Sequence, residues 1–450
     1  MKEPSTILHG FSKKSRDEKL EIVASFIENG NDTVETLKSF HHNDPEVQEM
    51  IEEFSENAIS NFHLPFSVVP NFLINGKVYM LPMVIEESSV VAAAANSAKF
   101  WFSHGGFKTE VLGTEKIGQV HFLCHDNVEL LRYKFPELKE SLIAGCELIT
   151  ENMRGRGGGI LDIQLKDLTH MEPGLMQLFC TFETADAMGA NFINSCLEQF
   201  SATFKEWHAT QKEFNEDGLD VVMCILSNLT PNCRIRCTVE TEIENFNNVI
   251  PGISGDEFVS RFYTGVRIAE VDPYRAVTHN KGILNGIDAV VLASGNDFRA
   301  VEACAHAYAS SGAQYLPLSR VVIHENRFQF SLEVPLALGV VGGLTNLHPL
   351  VKLSLSLLRH PSASELMSVA AAAGLATNFS AVKSLVTTGI QKGHMKMHLF
   401  NIMKQLGVPD HLKKSVVEYF KDKKVSVYAV RSLMEQMTFN PIAEKHLKVD

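Results

Sequence analysis

The chain carries eight cysteines but no CxxC pair. Cys233 and Cys237 stand four apart in NCRIRC, and no second pair follows at the spacing a zinc site needs. HExxH is missing too: His394 and His398 are four apart, yet HMKMH has no acid between them. No metal is therefore expected. No stretch approaches the roughly 18 to 20 apolar residues of a membrane span. The longest candidates, Val90–Ala95 and Val334–Leu344, are short or broken by Pro and Gly. The N-terminal MKEPSTILHGFSKKSRDEKL lacks the apolar core of a signal peptide. Positive charge is in deficit: a net charge of −12 argues against nucleic acid as the main ligand. It leaves room for a local basic pocket that takes a small anion. Internal repeats and low-complexity tracts are missing as well.

What is present is an ordinary globular composition, 45% apolar over 450 residues, enough for two or three domains. The cysteines sit in apolar settings and read as reduced, mostly buried thiols of a cytoplasmic protein. Residues 12–56 read as short helices, with Ile22, Phe26 and Ile27 on one face. Asn75-Gly76 between two apolar runs signals a hairpin. Glu86-Glu87-Ser88-Ser89 then opens a helix that Gly105-Gly106 ends, with acids near the positive end of the dipole.

From there to about residue 230 strands dominate. Leu161, Ile163 and Leu165 share one face, as do Met176, Leu178, Cys180 and Phe182. A helix follows the loop ETADAMGAN, its apolar stripe running through Ile193, Leu197, Phe200, Phe204 and Trp207. This block reads as a small α/β domain inserted into a larger one, which resumes near residue 233. There AVVLAS reads as a buried strand, and Phe298, Val301, Ala305 and Tyr308 mark the helix after it. Beyond His394 short Lys-rich helices form a tail hinged at Gly389 and Gly393.

Several polar residues sit where chemistry is possible, each with a plainer explanation beside it. Lys281, four residues before Asn285, can stabilise a developing oxyanion, or be a solvated lysine. Asp297 after Gly295-Asn296 can hold that lysine, or be a helix N-cap. Glu87 can be an inward general acid, or one of two acids facing a helix dipole. His394 can be a general acid on a mobile segment, or a lone histidine. DAMGAN, residues 186–191, can offer backbone N–H groups to a pyrophosphate, but it is not GxGxxG and can equally be a plain turn.

Taken together, these pieces resemble the soluble bacterial (class II) hydroxymethylglutaryl-CoA reductases over about residues 50 to 430. The matching stretches include LPMVIEESSVVAAA at 81–94, RGGG at 156–159, DAMGAN at 186–191 and SNL at 227–229. Further along come DPYRAVTHNKGILNGID at 272–288, SGNDFRAVEA at 294–303, VGGLTNLHP at 341–349 and GHM at 393–395. Two departures stand near Glu87: the family's ENVIG reads ENAIS, with Ser60, and its EEPS reads EESS, with Ser88 for proline.

The resemblance implies an α/β (α+β) architecture. A large substrate-binding domain would span 1–111 and 231–388, with a small dinucleotide-binding domain at 112–230 and a C-terminal helical flap at 389–450. It implies the four-electron interconversion of 3-hydroxy-3-methylglutaryl-CoA and mevalonate plus CoA, using two NADPH or NADH, in a homodimer, or a higher oligomer of such dimers, with its active sites at the dimer interface. Glu87, Lys281, Asp297 and His394 would be catalytic. Ser89, Arg275 and Asn285 would bind substrate, and Asp186, Met188, Gly189 and Asn191 would line the cofactor site. In the family the cofactor-discriminating position lies just before the GGG turn. It falls on Thr150, with Glu151 next, and Arg154 and Arg156 after it favour the 2′-phosphate of NADPH. Synthesis and breakdown of mevalonate use the same residues. A catalytically idle CoA-binding protein, or a hydrolase using Ser89 and His394, are the alternatives.

Overall fold

The segment read as a strand, AVVLAS, is helical in the computed structural model. It belongs to α9, Pro273–Ala293, whose buried residues lie nearly all round its C-terminal half. A continuous apolar run looks the same in a buried strand and a buried helix, and here length decides for the helix. The structure describes residues 7–27, 30–247, 249–387, 389, 399–421, 423 and 425–439.

Three helices, α1 (Arg16–Ser25), α2 (Gly30–Ser39) and α3 (Pro45–Glu52), precede a hairpin. A Ser15/Glu18 capping box opens α1. The apolar face expected there does not form, because α1 stops at Ser25 and Phe26 and Ile27 remain exposed. The hairpin is β1 (Phe66–Ile74) and β2 (Lys77–Val84), turning at Asn75-Gly76 with both φ angles positive, as a tight two-residue turn requires.

A four-stranded antiparallel sheet carries the order β3-β8-β10-β9, from Lys108–Val111, Arg234–Glu242, Arg327–Pro335 and Ser319–His324. Around it and the hairpin pack α4 (Ser88–Phe102), α8 (Gly255–Val271), α9, α10 (Phe298–Ala309), α11 (Pro349–Leu357) and α12 (Ala363–Val386). They share one apolar cluster that includes Phe72, Trp101, Phe262, Ile287 and Phe379. Among the described residues, α12 is the one helix long and apolar enough to cross a membrane. However, 72% of that window is buried inside the fold, so its apolarity belongs to the core.

Between β3 and β8 the chain builds a second antiparallel sheet, β5-β6-β4-β7, from Gly159–Asp167, Leu175–Glu183, Lys116–Cys124 and Leu219–Ser227. Three helices cover it: α5 (Val128–Gly145), α6 (Glu147–Arg154) and α7 (Ala190–Thr210). The stripe Ile193, Leu197, Phe200, Phe204 and Trp207 of α7 is buried in a separate apolar cluster. Leu161 is not on the buried face with Ile163. The β5–β6 register slips between Ile160 and Asp162, and this irregularity leaves Leu161 exposed. Residues 399–405 (α13), α14 (Asp410–Tyr419) and α15 (Val427–Phe439) share a third cluster around Met403, Val416 and Val430.

α9 and α12 pack with backbone nearly touching backbone. A Cβ on Gly286 would lie 2.4 Å from the carbonyl oxygen of Ala373, and the Thr377 hydroxyl donates to the Gly282 carbonyl at 3.0 Å. Backbone cannot step aside as a flexible side chain can. Gly286→Ala is thus expected to destabilise the protein by about 1–3 kcal/mol, seen as a lowered midpoint in thermal or denaturant unfolding. An unchanged midpoint would mean that the two helices have slack.

Candidate active site

A cavity of about 550 Å³ opens between α4, α9 and α12. Five residues singled out in the sequence line it: Glu87, Ser89, Arg275, Lys281 and Asn285. The helix period explains this. Arg275, Thr278, Gly282 and Asn285 recur at three and four residues along α9 and face the cavity, with Lys281 at the margin of that stripe. Gly282 and Asn285 can face it because the opposite side of α9 is seated on the core.

Lys281 Nζ donates to Glu87 Oε2 at 3.1 Å, and Ser89 Oγ donates to Glu87 Oε1 at 2.7 Å. Glu87 is the N-cap residue of α4, yet its carboxylate caps no backbone N–H. The acid is turned across the cavity toward the lysine instead. The Lys281 side chain is 62% exposed and that of Glu87 37%. An ion pair this open contributes roughly 0–1 kcal/mol to stability, so folding does not account for it. Arg275 is half-buried and has no carboxylate within ion-pair distance among the described residues; burial holds its pKa below the ordinary guanidinium value.

Asp297 lies elsewhere in the same chain. Twelve residues of α9, roughly 18 Å of helix, separate Lys281 from Ala293, and Asp297 follows that end. It is the N-cap of α10, accepting from Arg299 N at 3.0 Å and Ala300 N at 3.3 Å. The Arg299 side chain also binds it at 2.9 and 3.0 Å and, with the capping N–H groups, holds its carboxyl below the ordinary value. Asn296 does not cap. Its amide exchanges two hydrogen bonds with the backbone of Gly339, at 3.0 and 2.8 Å. His394 lies outside the described residues.

The DAMGAN turn sits where β6 passes into α7. Gly189 is left-handed (φ 92°), and a Cβ there would lie 2.4 Å from Thr184 Cγ2, so only glycine fits. No side chain caps α7, which leaves its first N–H groups available to an anion. The triple-glycine turn meets the same end of β6: Gly159 pairs with Glu183, and a Cβ on Gly158 would lie 2.5 Å from the Glu183 carbonyl oxygen. Two glycine turns and one helix N-terminus therefore converge, an arrangement that fits a dinucleotide pyrophosphate.

The individual residues of this turn differ in what they do. Met188 lines a small cavity next to the turn, and Asn191 is exposed. Asp186 is already engaged: its Oδ1 accepts Ala363 N at 2.8 Å, at the start of α12, and its carbonyl accepts Val340 N at 2.8 Å. The turn is thus stitched to the large core. Thr150 is buried, whereas Glu151, Arg154 and Arg156 are exposed on or just after α6. Arg154 lies 3.8 Å from Glu147, and Arg156 Nε donates to the Asn152 carbonyl at 3.3 Å.

Sequence reading missed four residues here. Lys116 is buried beneath the DAMGAN turn, donating to Thr184 Oγ1 at 2.6 Å. Asn228, in the SNL stretch, shares the small cavity with Met188. Lys383 and Asn96 line the large cavity. A lysine opening a mostly apolar strand was a readable signal for the first; the others needed the helices to be placed in space.

The fold is that of the class II reductases. A solved structure of 3-hydroxy-3-methylglutaryl-coenzyme A reductase from Streptococcus pneumoniae is 32% identical, covers 96% of this chain and all of that one, and superposes with a TM-score of 0.70. A second, described as the class II enzyme from the same organism bound to NADPH in open conformations, gives 32%, 94%, full coverage and 0.69. The 3-hydroxy-3-methylglutaryl-coenzyme A reductase of Archaeoglobus fulgidus is 35% identical over 96% of this chain and 95% of its own length. A probable reductase of Borreliella burgdorferi is 32% identical over 92% and 89%. The hydroxymethylglutaryl-coenzyme A reductase family model matches residues 15–399, and the chain belongs to that family.

One acid on α9 is not spoken for by the cavity. Asp288 stands one turn beyond Asn285, its Oδ1 buried without a hydrogen-bond partner among the described residues. Burial, together with Glu302 of α10 beside it, pushes its pKa up to about 8, against a smaller opposing pull from Lys281. The folded chain then holds a proton between about pH 4 and about pH 8 that the unfolded chain has released. Stability must fall as pH rises through that window. Asp288→Asn keeps the neutral form, so its melting temperature should decline less than wild type from about pH 5 to about pH 9. Parallel curves would contradict the raised pKa.

Proposed function

We propose that this chain reduces 3-hydroxy-3-methylglutaryl-CoA to mevalonate and free CoA with two equivalents of NADPH. The observation that carries this reading is the Lys281–Glu87 pair held across a cavity that Arg275, Ser89 and Asn285 share. When bound, the reduced nicotinamide supplies a hydride for each of the two reductions. Lys281 donates to the carbonyl oxygen as negative charge builds on it, an effect of about 3–4 kcal/mol for a well-placed donor. Glu87, hydrogen-bonded to Lys281, delivers the proton to that oxygen in the aldehyde step. His394 protonates the departing CoA thiolate, so that it does not return to the aldehyde. Arg275 and Ser89 hold the substrate's free carboxylate, and Asn285 orients the reacting end.

Asp297 cannot reach Lys281 along its own α9, so we read it as serving Lys281 of a second copy, in a cytoplasmic homodimer with shared sites. We read residues 112–230 as the cofactor-binding domain and 389–450 as a flap that closes over ligands. Gly189, Met188 and Asn191 would lie along the dinucleotide, with Asp186 bracing the turn, and Arg154 and Arg156 would meet the 2′-phosphate. The relative bound to NADPH supports that cofactor. The buried side chain of Thr150 leaves Glu151 as the exposed acid beside it. The same residues serve the reverse reaction, so mevalonate oxidation is its second direction.

The test is cofactor oxidation on adding 3-hydroxy-3-methylglutaryl-CoA to the purified full chain. Two cofactor equivalents should disappear per CoA released, with kcat/KM for NADPH about 10- to 100-fold above NADH. Lys281→Ala should lose at least about 100-fold in kcat while keeping the wild-type melting temperature within a few degrees. CoA release without cofactor oxidation would point to hydrolysis. A Lys281→Ala variant retaining more than about a tenth of wild-type kcat would remove the oxyanion role.

A further inference from the structure

We propose that Lys383 is a second cation for the free carboxylate of the substrate, acting beside Arg275 and selecting for a dicarboxylic acyl thioester. This rests on the function proposed above and adds a residue to its substrate site. The first support is register. Thr377 bonds the Gly282 carbonyl at 3.0 Å, and its neighbour Asn378 bonds the His279 carbonyl at 3.4 Å, so α12 advances as α9 retreats. Lys383 lies six residues beyond Thr377, about 9 Å along α12. Arg275 lies seven residues before Gly282, about 10 Å along α9 in the same direction. α4 agrees: Ser380 bonds the Ala93 carbonyl at 2.7 Å and Lys383 Nζ bonds Asn96 Oδ1 at 2.5 Å, both turns away from Glu87. Arg275 and Lys383 therefore stand toward one end of the cavity, and Lys281 with Glu87 stands toward the other. The reach of a five-carbon chain, with its thioester at one end and its carboxylate at the other, suits that separation.

The second support is charge. Arg275, Lys281 and Lys383 all line the cavity, against one acid among the described residues, Glu87, which Lys281 engages. Neither Arg275 nor Lys383 has a carboxylate within ion-pair distance among the described residues. Among the described residues the Lys383 side chain has only the Asn96 amide oxygen, and burial draws its pKa down. A partly buried cation with no acid is costly in the free protein and is relieved when an anion arrives. Lys383 packed merely for its aliphatic stem would not need its ammonium turned to Asn96 inside the cavity.

The experiment uses full-length enzyme with Lys383→Met, which keeps the stem, and Lys383→Arg, which keeps the charge. Kd for mevalonate and for free CoA, and kcat and KM for the full substrate, are measured on each. Lys383→Met should weaken mevalonate by about 10- to 100-fold, with the larger part of the kinetic loss in KM. CoA, which has no such carboxylate, should bind it as it binds wild type. Lys383→Arg should recover most of the loss. A methyl ester of the substrate's carboxylate should discriminate further: wild type should disfavour it, and Lys383→Met should do so far less. Three outcomes overturn the assignment: unchanged mevalonate affinity, a loss confined to CoA, which puts the lysine on phosphate, or equal losses that Arg does not restore. If wild type itself oxidises no NADPH with the substrate, the function is wrong. If wild type is active and Lys383→Met binds mevalonate normally, only this inference fails.

Discussion

The site depends on how closely α9 and α12 approach. Gly286 sits against the Ala373 carbonyl, and Gly374 makes room for the Ile287 and Ile283 side chains, so the two helices come close together. That contact fixes the rotation of α9 about its axis. With the rotation fixed, the three- and four-residue stripe of Arg275, Thr278, Gly282 and Asn285 faces the cavity, and Lys281 meets Glu87 from α4. A helix only loosely seated could swing its long side chains through several ångströms, and the oxyanion role proposed for Lys281 needs far better placement than that.

Electrostatics then work locally against the chain's own average. The protein carries a net charge of −12, yet its large cavity presents Arg275, Lys281 and Lys383 against Glu87. A cationic pocket of this kind suits the anionic substrate proposed above. The second sheet is built differently. Its four strands are antiparallel, so the β6–α7 turn is not a parallel-sheet crevice. The N–H groups of α7 and the two glycine turns at the end of β6 offer an anion the same chemistry by another route.

Much of this was legible in the sequence, and the gaps have physical causes. Asn75-Gly76 announced its hairpin because both positions need positive φ, which few residues tolerate. The α7 stripe was legible because one face of that helix is buried and the other is wet. α9 was not, because burial on nearly every side erases the period that tells a helix from a strand. Leu161 was misplaced by a register slip that no local residue signals. The family motifs located Glu87 and Lys281 but not Lys383, whose meaning comes from a register between helices far apart in sequence.

The central claim is that one copy supplies Lys281 and Glu87 while another supplies Asp297, and a mixed dimer tests it. Lys281→Ala and Asp297→Ala chains, each inactive alone, would be co-expressed with different tags and the doubly tagged species isolated. Such a dimer has one site with both residues intact and one with neither, so about half of wild-type activity per dimer is expected. A mixed dimer as inactive as its parents would contradict a site shared between copies.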